Sequence, residues 1–101
     1  MNRRGFNIIG MEQRYAGDDA WNDLVDAFNG IYSESDIGIL TNKMDGKRDF
    51  AIVINGKIGL NGSLEWSERK IKMLGDLRPV DCLKEAHLIK RLREYLIELP
   101  C

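Results

Sequence analysis

Phe50-Ala51-Ile52-Val53-Ile54-Asn55-Gly56-Lys57-Ile58-Gly59-Leu60 is the stretch whose conformation decides the fold of this 101-residue chain. Two β-prone runs flank Asn55-Gly56, and both central positions of a type I′ turn require a positive φ that asparagine and glycine tolerate best. The reading is a β-hairpin over residues 50–60. A lone hairpin is unstable in water, so it needs helices, a strand at Phe6-Asn7-Ile8-Ile9 or a second copy of the chain to pack on. The expected fold class is α+β: a small helix-rich single domain with four helices and one β-hairpin.

On the N-terminal side of that stretch, residues 12–45 read as an acidic helical half. Trp21, Leu24, Val25 and Phe28 fall at i, i+3, i+4 and i+7, with Asp18 or Asp19 as N-cap and Asn29-Gly30 as a stop. Residues 33–44 predict a second helix capped by Ser33 or Ser35, with Ile37, Leu40 and Met44 facing inward. Gly38 weakens it by roughly 1 kcal/mol relative to alanine. On the C-terminal side, residues 63–100 read as a helical unit. Ser63 caps a helix through Trp66 to Leu74, Gly75-Asp76 ends it, and Pro79 opens the next. From Leu83 onward Leu88, Leu92, Tyr95, Leu96 and Leu99 recur at three- and four-residue steps until Pro100.

The composition, 44% hydrophobic and 31% charged, is that of a folded globular domain with one modest core and no room for a separate catalytic lobe. No run approaches the roughly 20 apolar residues that span a bilayer, and no long apolar block follows Met1-Asn2-Arg3-Arg4, so a cytoplasmic protein without a membrane partner is expected. Net charge is −1, but residues 12–45 carry eight acidic side chains against two basic, and residues 46–101 carry eleven basic against eight acidic. That polarity either steers a partner or draws the two halves together, and the second reading is preferred.

Candidates for chemistry are thin. His87, the single histidine, lies beside the apolar stripe among Lys84, Lys90 and Arg91, and one histidine makes no conventional metal cluster. Cys82 follows Asp81, whose charge raises a thiol pKa, and Cys82 and Cys101 are too few for a zinc site. Gly56-Lys57-Ile58-Gly59 is no phosphate loop. No cofactor, metal or enzymatic activity is expected. Nucleic acid is the weaker partner reading: Lys84, Lys90, Arg91 and Arg93 share one helix and Arg69, Lys70 and Lys72 another, but Glu85, Glu94 and Glu98 dilute the field. The pair of helical stretches Trp21 to Phe28 and Ile37 to Met44 could imitate a helix-turn-helix, yet its second helix offers mainly Asp36, Asn42 and Lys43 to a groove.

Trp66, then Leu74-Gly75, Arg78-Pro79, Asp81 and Leu83, and finally Ile89, Leu92 and Leu96, form a pattern that resembles the toxin-binding domain shared by the Xre, MbcA and ParS antitoxins. The likeness covers about 35 residues. It implies a bacterial, non-enzymatic antitoxin of a toxin-antitoxin system, whose C-terminal helical unit covers a partner toxin, typically of the RES class that acts on NAD. Members of that family are commonly all-helical, whereas residues 50–60 here read as a hairpin.

The resulting expectation is a binding protein that neutralises a partner enzyme by occlusion, docking through the last helix and residues 95–101. Its expected partner-binding residues are Arg78, Pro79, Arg91, Leu92, Arg93, Tyr95, Leu96 and Leu99. Arg91 and Arg93 set orientation, while Leu92, Tyr95, Leu96 and Leu99 divide between core and interface. The alternatives are a phage- or mobile-element-encoded inhibitor or interaction module, or a DNA-binding regulator. A homo-oligomer is also expected, because a hairpin edge and a long apolar helix both invite pairing.

Overall fold

Five α-helices and three 3-10 segments make up the described part of the computed structural model, residues 11–100. The α-helices are α1 (Asp18–Phe28), α2 (Glu34–Lys43), α3 (Arg48–Lys57), α4 (Leu60–Trp66) and α5 (Ala86–Glu98). The 3-10 segments are Met11–Arg14, Lys72–Leu74 and Pro79–Leu83. Among the described residues there is no strand, and the only β pairing is one antiparallel bridge between Ile71 and Leu77. The fold is all-α, and the α+β expectation is overturned. The strand expected at residues 6–9 lies outside the described residues.

The correction centres on residues 50–60, which form most of α3 and the start of α4. Successive helical residues turn by about 100°, so consecutive apolar side chains fan around the whole axis. Phe50, Val53 and Ile54 meet one cluster with Trp21, Met44, Trp66, Leu74, Leu92 and Leu96. Ala51 and Ile52 meet a second with Ile37 and Leu40, bordered by Val25, Phe28, Tyr32 and Leu60. The unbroken apolar run is therefore the two-sided surface of a central helix. Asn55-Gly56 is no turn. A Cβ on Gly56 would overlap the ring of Phe28, so this glycine lets α1 approach α3 closely. The chain reverses only at Gly59, where φ is +90°.

The flanking helices follow the expected stripes with altered ends. α1 is capped by Gly17, with Asp18 and Asp19 in its first turn, so neither aspartate serves as N-cap. α2 is capped by Ser33, whose Oγ accepts from the Asp36 N–H at 3.3 Å. Its last turn closes through Gly46 N–H to Thr41 O at 2.8 Å, with Asp45 in the left-handed region at φ +58°. Ser63 is interior to α4 and does not cap it; its Oγ donates to Gly59 O. No single helix runs from Trp66 to Leu74. Ile71 N–H donates to Leu77 O at 3.0 Å, closing a loop over the Lys72–Leu74 segment, and Gly75 turns out of it at φ +80°. Pro79 stands at the first position of its 3-10 segment, where it lacks no bonded N–H. The last α-helix begins at Ala86, three residues later than the apolar spacing from Leu83 suggests.

Candidate functional site

α5 carries most of the candidate residues, and the structure distributes them over three roles. Leu92 and Leu96 are fully buried, as is Pro79 at the hinge, so these three belong to the core. Arg91 and Arg93 are engaged within the chain. Arg91 Nε donates to Glu12 Oε1 at 2.7 Å, and Nη1 donates to Leu74 O at 3.0 Å. Arg93 lies 5.6 Å from the Trp21 ring and 5.9 Å from the Phe50 ring, with Asp18 Oδ1 at 3.1 Å and Asp49 Oδ2 at 3.7 Å. Asp49 Oδ2 also accepts from Trp21 Nε1 at 2.9 Å, so this group knits α1, α3 and α5 together. Arg78 is half-exposed and pairs with Asp81, Nε to Oδ2 at 2.8 Å, and with Glu68.

Tyr95 and Leu99 have a different setting. Tyr95 stacks on Trp66 with ring centroids 6.3 Å apart, and its other side joins Met11, Met73, Glu98, Leu99 and Pro100 around an open groove of about 160 Å³. Met73 is 52% exposed. The backbone of the helix end is held from behind: Lys57 Nζ donates to Ile97 O at 3.4 Å and also to Leu99 O, satisfying carbonyls that the last turn leaves free. The groove is thus a largely apolar surface, with Glu98 in its lining, on a fixed helix end.

Sequence reasoning missed Met11, Met73 and the acidic partners Glu12 and Glu94. Met73 sits in a segment expected to be plain helix, and Met11 precedes every recognisable stripe. The charge asymmetry was the one available signal. Glu12 pairs with Arg91, Asp18 with Arg93, Glu34 with Arg48, Arg14 with Glu98 and Lys43 with Glu68, so five ion pairs among the described residues join the two oppositely biased halves.

The nucleophile candidates stay remote from this groove chemically. Cys82 is fully buried, and its thiol is pushed up to about 11, chiefly by burial; Arg91 opposes the shift and Asp81 adds to it. Burial, more than the neighbouring Asp81, keeps this sulfur a thiol. His87 is exposed, with Nδ1 3.6 Å from Glu85 Oε1. Among the described residues no three His, Cys, Asp or Glu side chains converge to hold a metal ion. No helix among them is long and apolar enough to cross a membrane. The second helix of the α1–α2 pair exposes Glu34, Ser35, Ile39 and Asn42, and its Lys43 is paired with Glu68. Comparison with family profiles, curated proteins and solved structures gave no match.

Proposed function

We propose that this chain is a non-enzymatic, antitoxin-like binding protein of the cytoplasm that neutralises a partner enzyme by occlusion, docking through the groove at the end of α5. The groove is the observation that carries the reading. Its walls are two methionines, a tyrosine, a leucine and a proline, with the Glu98 carboxylate among them, and a cavity of this size accepts one ring-sized apolar group. Methionine adapts to an incoming side chain, and tyrosine is a favoured interface anchor. Tyr95 and Leu99 are the partner-facing members of the expected set, joined by Met11, Met73 and Pro100. Arg78 stands nearer the hinge with one flank exposed.

The likeness of the C-terminal third to the Xre, MbcA and ParS toxin-binding domain supports the choice of an enzyme, of the RES class, as the partner. An all-helical chain also removes the hairpin that set this protein apart from that family. A mobile-element inhibitor would use the same surface, and the same experiment addresses both.

The test is capture of a partner from source cells, followed by assay of the captured enzyme with and without this chain. Met73→Glu places a charge in the groove at an exposed position that the core does not need. The wild type is expected to inhibit the enzyme and Met73→Glu to inhibit at least tenfold more weakly, the cost of desolvating an unpaired charge. Equal inhibition by both moves the interface elsewhere, and no inhibition by either ends the occlusion reading.

A further inference from the structure

Residues 11–16 lie along the outer face of α5 and are held there more by charge than by apolar burial. Glu12 takes both arms of Arg91, Nε at 2.7 Å and Nη2 at 3.0 Å, with the two side chains only 11% and 15% exposed. Two residues on, Arg14 meets Glu98 through two bonds of 2.9 Å. The Ala16 N–H then donates to Glu94 Oε1 at 2.9 Å, and Glu94 is 5% exposed. Of the segment's own side chains only Met11 is fully buried, and Tyr15 packs half-buried on the core with its hydroxyl donating to Asp18 Oδ1 at 2.8 Å. Its packing is against α5 above every other element. The chain leaves it through Gly17 at φ +109°, a conformation open to glycine alone among common residues.

Among the described residues this short segment has one fully buried side chain, packs chiefly on one helix and is tied to α1 only through Tyr15 and Gly17, so its free energy of local opening is low beside that of the core helices. We propose that residues 11–16 are a strap that opens as a unit while α1 to α5 stay folded, with the Glu12–Arg91 pair as its latch, and that the groove is complete only when the strap is closed. Met11 supplies the geometric link, since it is both the strap's buried anchor and part of the groove wall. The second clause rests on the reading of the groove as a docking site. Strap closure and partner binding are then coupled: the partner slows strap opening, and weakening the latch weakens the partner by the factor by which it lowers the closed fraction.

Hydrogen exchange and limited trypsin digestion of the full chain test the strap without any partner. Glu12→Gln removes a charge-assisted pair, and is expected to speed exchange at the Ala16 amide and cleavage after Arg14 by about tenfold while leaving α1 to α5 unchanged. If Glu12→Gln lowers the stability of the whole chain, Arg14→Gln at the exposed pair makes the same test by exchange alone. Strap amides that exchange in step with those of α5 in both variants overturn the strap. With the captured enzyme, the double variant Glu12→Gln with Arg14→Gln is expected to lose inhibition by the factor by which its closed fraction falls, once exchange shows the strap open in a large share of molecules. An open strap with undiminished inhibition overturns the coupling and leaves the groove reading standing. Absence of inhibition by the wild type removes the groove reading and the coupling together, and the exchange data still decide the strap.

Discussion

Gly38 and Gly56 both occupy helix interiors, yet alanine at the two positions has opposite expected effects. A Cβ on Gly38 meets nothing within 4 Å, so Gly38→Ala is expected to stabilise by about 0.5–1 kcal/mol through lower backbone entropy in the unfolded chain. A Cβ on Gly56 meets the Phe28 ring, and overpacking of that kind costs about 1–3 kcal/mol. Urea unfolding of the two variants checks the signs, and equal stabilisation by both would mean that α1 and α3 are not in close contact. The sequence reader sees only that both glycines lie in plausible segments. Gly38 is legible as a helix weakener, whereas Gly56 reads as a turn residue, because its constraint lies in a side chain 28 positions away. Cys82 teaches the same lesson. Its neighbour Asp81 is visible in sequence, but the burial that dominates its thiol is not.

At the scale of elements, the contact between the 11–16 segment and α5 makes stability depend on pH in two opposed ways. Arg91 holds the Glu12 carboxyl below its ordinary range, and Arg14 with Glu94 brings Glu98 down to about 2. These two contributions are fully present above the ordinary value of 4.5 and are lost as pH falls through the folded values, for Glu98 between 4.5 and about 2. Glu94 runs the other way. Burial, then the neighbouring Glu98, raises its carboxyl, so its contribution is present below 4.5 and is lost as pH rises through its folded value. Glu94→Gln keeps an acceptor for the Ala16 N–H and removes the buried charge. It is expected to raise the melting temperature by a few degrees at pH 7, with the difference closing near pH 3, as read by circular dichroism at both pH values. A gain that persists unchanged at low pH would assign it to packing instead.

For the whole molecule, the terminal helix is a structural member before it is an interface. Leu92 and Leu96 are fully buried against Trp21, Phe50, Trp66 and Leu74, and Arg93 joins α5 to α1 and α3. A chain ending at Lys90 is expected to lose its cooperative unfolding transition altogether, since several kcal/mol follow from removing two core leucines alone. Retention of that transition would show that α1 to α4 fold without α5. The same wholeness bears on the charge pattern: the two halves meet in five ion pairs, three of which, Glu12–Arg91, Asp18–Arg93 and Glu34–Arg48, run with the bias. The hairpin-edge argument for self-association disappears with the hairpin.

By itself the sequence determined the stripes of α1, α2 and α5, a serine cap for α2 at Ser33 or Ser35, the positive φ at Gly75 and the corner at Pro79. Each of these is local: apolar residues at three- and four-residue steps, a side-chain oxygen, a missing Cβ or a missing N–H acts within a few residues of itself. Only the tertiary structure decided α3, the groove and the partners of Arg91 and Arg93. Residues 50–54 are apolar without alternation, a pattern that suits a buried strand or a buried helix equally. The helix wins because two separate apolar surfaces, one around Trp21 and Leu96 and one around Ile37 and Leu40, stand ready to receive its opposite sides.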